Sequence, residues 1–242
     1  MKEVTLPILP FAQSESWTGL LDLAGRIPNG WALIGGQMVH LHCWERQAIP
    51  NRPTDDLDAV LDIRTTPTML KKFTAVLVEI GFTSDGKSWE GHEHRWIRGS
   101  AVIDVLIASG LGERANSRKG IFGGTTIPTP GGQGALDRAE KVKVIHQTQG
   151  AVINRPNLMG AIVVKAAAYG NTRDSYRQRH LLDIAVLSTL VEASDAQGLS
   201  ISKPERQRVA LALKVLKENI SLMNSVSGAF EGVSRVELLL GK

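Results

Sequence analysis

The stretch WALIGGQMVHLHCWERQAIPNRPTDDLDAVLDI, residues 31–63, contains the local signals that decide the fold. It opens with four apolar residues, 31–34, which are enough for a short buried strand. Gly35 and Gly36 interrupt this run, and a helical apolar pattern follows them. Glycine at a strand-to-helix turn lets backbone N–H groups approach a bound anion, and a helix N-terminus favours negative charge. The turn is therefore a candidate phosphate-binding site.

A second strand ends the stretch, because apolar residues alternate with polar ones over residues 56–63. Successive side chains of a strand point to opposite faces, so Asp56 and Asp58 project from the same face. Two such carboxylates repel each other unless a cation lies between them, and hard oxygen ligands suit Mg²⁺. Asp62 shares this face but lies roughly 13 Å from Asp58 at ~3.3 Å per residue, too far to bind the same ion. The pair beside a phosphate-binding turn predicts chemistry on a nucleoside triphosphate.

A third carboxylate lies in a predicted hairpin. Residues 93–97 and 101–107 are expected to form its two arms, with Arg98, Gly99 and Ser100 as the turn. Asp104 then lies inside a strand that is otherwise almost wholly apolar. A buried charge of this kind normally has a partner or a metal.

Composition sets few limits on function. The chain has 242 residues, of which 43% are hydrophobic, so it can bury a sizeable core. A net charge of +4 is compatible with an anionic partner but does not require one. The single cysteine, Cys43, excludes an internal disulfide and suits a reducing cytoplasm. The N-terminal residues lack a signal-peptide pattern, and no run approaches the ~20 apolar residues of a membrane span, so we expect a cytoplasmic protein without membrane contacts.

The second part of the chain has a helical pattern. Helices are predicted over residues 158–169, after Asp174, from Lys203 onwards and near residues 233–240. Strands followed by helices indicate an α+β fold. We therefore expect a catalytic core over residues 1–153 and a helical C-terminal domain over residues 154–242.

Two motifs resemble those of a known family. Gly35-Gly36 followed by Arg52-x-Thr54-x-Asp56-Leu57-Asp58 resembles the signature of polymerase-beta-like nucleotidyltransferases, most closely the AbiEii/AbiGii-type toxins. Lys165 before three alanines, then Arg179-His180-Leu181-Leu182-Asp183, resembles the second motif of that branch. His180 stands where an acidic residue is common. The resemblance implies an α+β fold with a mixed-sheet nucleotidyltransferase core and a helical C-terminal half.

The resemblance also implies a reaction. A nucleotide monophosphate would move from a nucleoside triphosphate to an acceptor hydroxyl, with Mg²⁺ held by Asp56, Asp58 and Asp104. Asp104 would also accept the hydroxyl proton. Gly35 and Gly36 would hold the β- and γ-phosphates, and Lys165 would offset the developing charge. The remaining candidates have two interpretations each: Arg52 and Thr54 contact phosphate or support the strand, and Asp183 pairs locally or orients Lys165.

The resemblance makes tRNA or a protein the expected acceptor, in a toxin–antitoxin pair with a cognate antitoxin. Arg173, Arg177 and Arg179 form a basic helix start, which is either a solvated face or an RNA contact in a groove leading to the site. Two alternatives remain open. One is transfer to a small molecule, such as an antibiotic, and the other is a nucleotide-binding interaction module without turnover.

Overall fold

A computed structural model describes residues 1–197 and 200–241. Gly198, Leu199 and Lys242, which fall within the predicted C-terminal domain, lie outside the described residues. The strands are β1 (Lys2–Thr5), β2 (Trp31–Ile34), β3 (Leu57–Leu61), β4 (Thr83–Ser84), β5 (Arg95–Arg98), β6 (Ala101–Ala108), β7 (Ile127–Thr129), β8 (Ala139–His146) and β9 (Gln149–Pro156). The helices are α1 (Phe11–Arg26), α2 (Gly35–Glu45), α3 (Met69–Glu79), α4 (Glu113–Asn116), α5 (Gly132–Asp137), α6 (Leu158–Tyr169), α7 (Gln178–Thr189), α8 (Lys203–Glu218), α9 (Ile220–Asn224) and α10 (Ala229–Gly241), with a 3-10 turn at Ala193–Ala196.

The larger sheet is mixed and has the strand order β2-β3-β6-β5-β4. Strands β3 and β6 run parallel, whereas β2 is antiparallel to β3 and β5 is antiparallel to β6. Strand β7 extends the sheet beside the second half of β6. Every residue of β2 is buried, as its apolar run predicts. This sheet carries the sequence stretch that decides the fold.

The β5–β6 hairpin is confirmed, but its turn is one residue shorter than predicted. Arg98 pairs with Ala101, so the turn contains only Gly99 and Ser100. Gly99 has a positive φ of 58°, which suits glycine in a two-residue hairpin turn. The shorter turn shifts the register by one residue and places Arg95, rather than His94, opposite Asp104.

The smaller sheet, of order β1-β8-β9, was not predicted. Its signal is present in β8, where the buried Val142 and Val144 alternate with the exposed Lys141 and Lys143. Strand β9 runs across the predicted domain boundary at residue 153. The division into two domains therefore stays a prediction.

The helices pack around both sheets on a large hydrophobic core, and a second, smaller apolar cluster contains Ala32, Ile34, Val60, Ala135 and Val164. Helix α1 lies against β6 and β9, which belong to different sheets. Helices α6, α7, α8 and α10 pack on one another and form the predicted helical second part. Helix α6 has the predicted bounds, and α8 begins at the predicted Lys203. Among the described residues, no helix is long and apolar enough to cross a membrane. The predicted α+β fold is confirmed.

Candidate active site

Two of the three predicted carboxylates lie side by side on neighbouring strands. In the parallel β3–β6 pair, Asp58 is in register with Asp104. Asp56 precedes β3 by one residue and has a side chain that is 42% exposed, whereas the side chain of Asp104 is 10% exposed. The period-two pattern thus brings Asp56, Asp58 and Asp104 to one end of the sheet. Their roles as metal ligands stay a prediction.

The surroundings of Asp58 disfavour the ionised form of its carboxyl group. Burial raises the pKa of its carboxyl group, and the negative charges of Asp56 and Asp104 raise it further, to about 7. Lys165 and Arg179 act in the opposite direction but do not compensate. A carboxylate in such surroundings is stabilised by an added cation.

Gly35 and Gly36 have no side chains, which leaves room for the side chains of Asp58 and Thr54. Gly35 has a φ of +72°, and a Cβ atom there would lie 1.8 Å from Oδ2 of Asp58. A Cβ atom on Gly36 would lie 2.7 Å from Oγ1 of Thr54. Both positions therefore require glycine for close packing, independently of any phosphate. Binding of phosphate by their backbone N–H groups stays a prediction.

Helix α2 fixes the loop that carries Arg52 and Thr54. The buried Gln37 donates a hydrogen bond of 2.5 Å from Nε2 to the Thr54 carbonyl. Nε2 of His40 lies 2.8 Å from the Arg52 carbonyl oxygen. Thr54 in turn donates from Oγ1 to Oδ1 of Asp56 at 2.9 Å. Thr54 therefore supports the carboxylate strand, which is one of its two predicted roles.

Lys165, Asp183 and Arg52 form a buried ionic triad. Nζ of Lys165 lies 2.6 Å from Oδ2 of Asp183, and both side chains are 3% exposed. Arg52 donates to the two carboxylate oxygens of Asp183 at 2.8 and 3.0 Å. Burial opposes ionisation of Asp183, but the positive charges of Lys165 and Arg52 outweigh it and lower its pKa to about 2. Asp183 thus holds Lys165 in place, which agrees with the interpretation that it orients the lysine.

Two adjoining cavities bring these groups together. A polar cavity of about 200 Å³ is lined by the three carboxylates, both glycines, Arg52, Thr54 and Lys165. A second cavity of about 220 Å³ has apolar walls that include Ile34, Leu106 and Val164. Both cavities share Gly35, Asp58, Lys165, Arg179 and His180. The first suits phosphates and cations, and the second suits a flat, partly apolar group.

Sequence reasoning missed Arg95, which also lines the polar cavity. Its guanidinium donates to both oxygens of Asp104, at 2.9 and 2.7 Å, and lies 3.7 Å from Oδ2 of Asp56. A hairpin with a two-residue turn places Arg95 directly opposite Asp104, whereas the predicted three-residue turn does not.

His180 and Asp174 form a second pair that was not predicted. Nε2 of His180 lies 3.1 Å from Oδ2 of Asp174. Burial, and then the charge of Lys165, lowers the pKa of His180 to about 4, so the imidazole is neutral at pH 7. The family pattern offers no role for a histidine here, and only the fold shows that it faces both cavities.

The two arginines at the start of α7 border different cavities. Arg179 lines the cavities described above. Arg177 instead lies with its guanidinium 5.2 Å from the ring centroid of Tyr169 and borders a different depression, together with Arg208. Arg177 and Arg179 therefore have different neighbours, and a basic groove that leads to the site stays a prediction.

The donor set fits a hard divalent cation, although its present arrangement is incomplete. Among residues 1–197 and 200–241, no three histidine, cysteine, aspartate or glutamate side chains converge closely enough to hold a metal ion. The Arg95 guanidinium lies between Asp104 and Asp56 and acts as a stand-in cation. Carboxylate oxygens are the ligands that Mg²⁺ prefers. The residues therefore fit Mg²⁺, provided that Arg95 moves.

Comparisons with known proteins identify the fold. No protein-family model matches the sequence, and no curated protein matches it. Among solved structures, the chain is similar to an antigenic nucleotidyltransferase-like protein from Paracoccidioides brasiliensis, at 15% identity and a TM-score of 0.51, covering 92% of this chain and 99% of that one. It is also similar to the antibiotic-resistance factor ANT(2'')-Ia, at 11% identity and a TM-score of 0.44, covering 89% of this chain and 97% of that one. The first of these two likenesses shows that the chain has a nucleotidyltransferase-like fold.

Proposed function

We propose that this protein is a magnesium-dependent nucleotidyltransferase, which moves a nucleotide monophosphate from a nucleoside triphosphate to an acceptor hydroxyl and releases pyrophosphate. One observation carries the proposal: Asp58 and Asp104 lie side by side on parallel strands, next to the Gly35 turn and in a cavity shared with Lys165. Three carboxylates that line one cavity are costly for a fold and suit a cation. The nucleotidyltransferase-like fold supports the same assignment.

In this proposal Asp56, Asp58 and Asp104 hold Mg²⁺. When bound, the metal supplies positive charge that neutralises the triphosphate and acidifies the acceptor hydroxyl. The protein supplies the remaining functions. Lys165, held by Asp183, offsets negative charge on the transferring group, and Asp104 takes the proton from the acceptor. The turn at Gly35 and Gly36 binds the β- and γ-phosphates through its backbone.

Substrate orientation follows from the two cavities. The polar cavity takes the triphosphate, because it contains the carboxylates and Lys165. The adjoining cavity, with Ile34, Leu106 and Val164 in its walls, takes the nucleoside. Arg52 is committed to Asp183 through two hydrogen bonds, so it supports Lys165 rather than contacting phosphate directly.

For the acceptor we propose tRNA or a protein, in a cytoplasmic toxin–antitoxin pair of the AbiEii/AbiGii type. The motifs around Asp56 and Lys165 support this branch. The basic residue at the cavity mouth that supports an RNA contact is Arg179, which is 52% exposed. Phosphate contacts make RNA affinity fall as salt rises, so tRNA binding should weaken with salt and should weaken further in Arg179→Ala.

The test is transfer of label from each of the four α-labelled nucleoside triphosphates in the presence of Mg²⁺. Total tRNA, a cell lysate and a panel of aminoglycosides are offered separately as acceptors. Labelled RNA or protein is the expected result, and it should be absent with Asp58→Asn and retained with Asp55→Asn, a change at an exposed neighbour. Label on a small molecule alone would replace the proposed acceptor. Nucleotide binding without any transfer would favour the non-catalytic module.

A further inference from the structure

Arg95 neutralises the carboxylate cluster. Its guanidinium forms a two-pronged contact with Asp104 and lies 3.7 Å from Asp56. Lys165, a buried cation that lines the same cavity, is already paired with Asp183. Arg95 therefore provides the positive charge that lies directly between two of the proposed metal ligands.

The position of Arg95 conflicts with a metal held by all three carboxylates. Both oxygens of Asp104 accept hydrogen bonds from Arg95, so this carboxylate is engaged before any ion arrives. Asp104 can serve its proposed roles only when Arg95 leaves it.

The Arg95 side chain is accessible from solvent and from the polar cavity. Its side chain is 42% exposed, whereas that of Asp104 is 10% exposed. It projects from β5 into the polar cavity, where the proposed triphosphate lies. A guanidinium binds phosphate oxygens with the same two-pronged geometry that it uses for a carboxylate.

We propose that Arg95 is a mobile counter-ion, which occupies Asp104 in the free protein and transfers to the substrate triphosphate when Mg²⁺ and nucleotide bind together. The inference rests on the proposed function. Magnesium and Arg95 compete for Asp104, so the metal binds weakly alone and tightly with nucleotide. The exchange ties completion of the metal site to the presence of substrate.

The experiment compares Arg95→Gln with the wild-type protein in two titrations. Mn²⁺, which electron paramagnetic resonance detects at Mg²⁺ sites, is titrated without nucleotide, and nucleoside triphosphates are titrated by calorimetry at saturating Mg²⁺. Arg95→Gln should bind Mn²⁺ at least about tenfold more tightly, because one positive charge beside the ligands is removed. It should bind nucleotide more weakly, because a phosphate contact is lost. Arg98→Gln is the matched control on β5, where the arginine pairs with Asp22 instead, and it should change neither affinity.

The outcomes separate the two proposals. Equal Mn²⁺ affinity in the wild type and Arg95→Gln, with nucleotide binding intact in both, overturns the counter-ion role and leaves the proposed function standing. Absence of metal-dependent nucleotide binding in both overturns the proposed function and this inference with it. If Arg95→Gln does not fold, Arg95→Lys decides the question. It keeps the charge, so its Mn²⁺ affinity should stay near that of the wild type, but it loses the two-pronged phosphate contact, so its nucleotide affinity should fall; unchanged nucleotide affinity overturns the proposal.

Discussion

Replacing Asp58 with asparagine should stabilise the metal-free protein while removing its function. The pKa of Asp58 rises from 3.8 to about 7 through burial and the charges of Asp56 and Asp104. Each pKa unit corresponds to about 1.36 kcal/mol, so ionised Asp58 costs the fold at most about 4 kcal/mol. The side chain is only partly shielded from water, which reduces the expected gain to about 2 kcal/mol.

The stability difference between Asp58→Asn and the wild type should depend on pH. Below pH 4 Asp58 is protonated in the folded and unfolded states, so its ionisation costs nothing. Between pH 4 and about 7 the unfolded chain releases this proton first, and the wild type loses stability relative to Asp58→Asn. Above pH 7 the difference is constant. The stabilising effect should therefore be small at pH 4, which is close to the pKa of 3.8 in the unfolded chain, and largest at pH 8.

Urea unfolding in the presence of EDTA at pH 4, 6 and 8 measures this difference. Asp55→Asn serves as the control, because Asp55 is an exposed neighbour on the same loop. The reasoning is refuted if Asp58→Asn is less stable than the wild type at pH 8, or if the difference does not change with pH. Either result would mean that Asp58 is a structural carboxylate.

Three further predictions concern the residues around the cluster. Asp183→Asn should destabilise the protein by about 3–5 kcal/mol in urea unfolding, because it leaves Lys165 buried without its partner; adding Lys165→Met should recover part of the loss. Gly35→Ala should abolish nucleotide binding in calorimetry, because the new Cβ would lie 1.8 Å from Asp58, whereas Gly25→Ala, with nothing within 4 Å, should be neutral or slightly stabilising. Gln37→Leu should weaken nucleotide binding by releasing the loop that carries Thr54, and unchanged affinity would show that this hydrogen bond does not position the site.

Local patterns predicted the carboxylate end of the sheet. The alternation around Asp58 and the apolar strand around Asp104 each follow from the two-residue period of a β-strand, and the fold places the two residues in register. The junction between a strand and a helix at Gly35 and Gly36 was also predicted. The packing of these glycines against Asp58 and Thr54 depends on distances that no sequence pattern contains.

The sequence patterns did not predict contacts between distant residues or contacts that depend on strand register. Arg52 and Asp183 are 131 residues apart, so nothing local links them. Arg95 was missed because a turn predicted one residue too long moves every pairing in the hairpin by one position. The β8–β9 hairpin carries an ordinary strand alternation at Val142 and Val144, which the helical pattern of the following residues obscured.

The most direct test of the account is calorimetric titration of the protein with each nucleoside triphosphate, with Mg²⁺ and with EDTA. The account predicts binding that requires Mg²⁺ and that weakens at least tenfold in Asp58→Asn, while Asp55→Asn binds as the wild type does. The polar cavity lined by Asp56, Asp58, Asp104 and Lys165 is where this binding is expected. Absence of binding, binding that is unaffected by EDTA, or full affinity in Asp58→Asn would contradict the account.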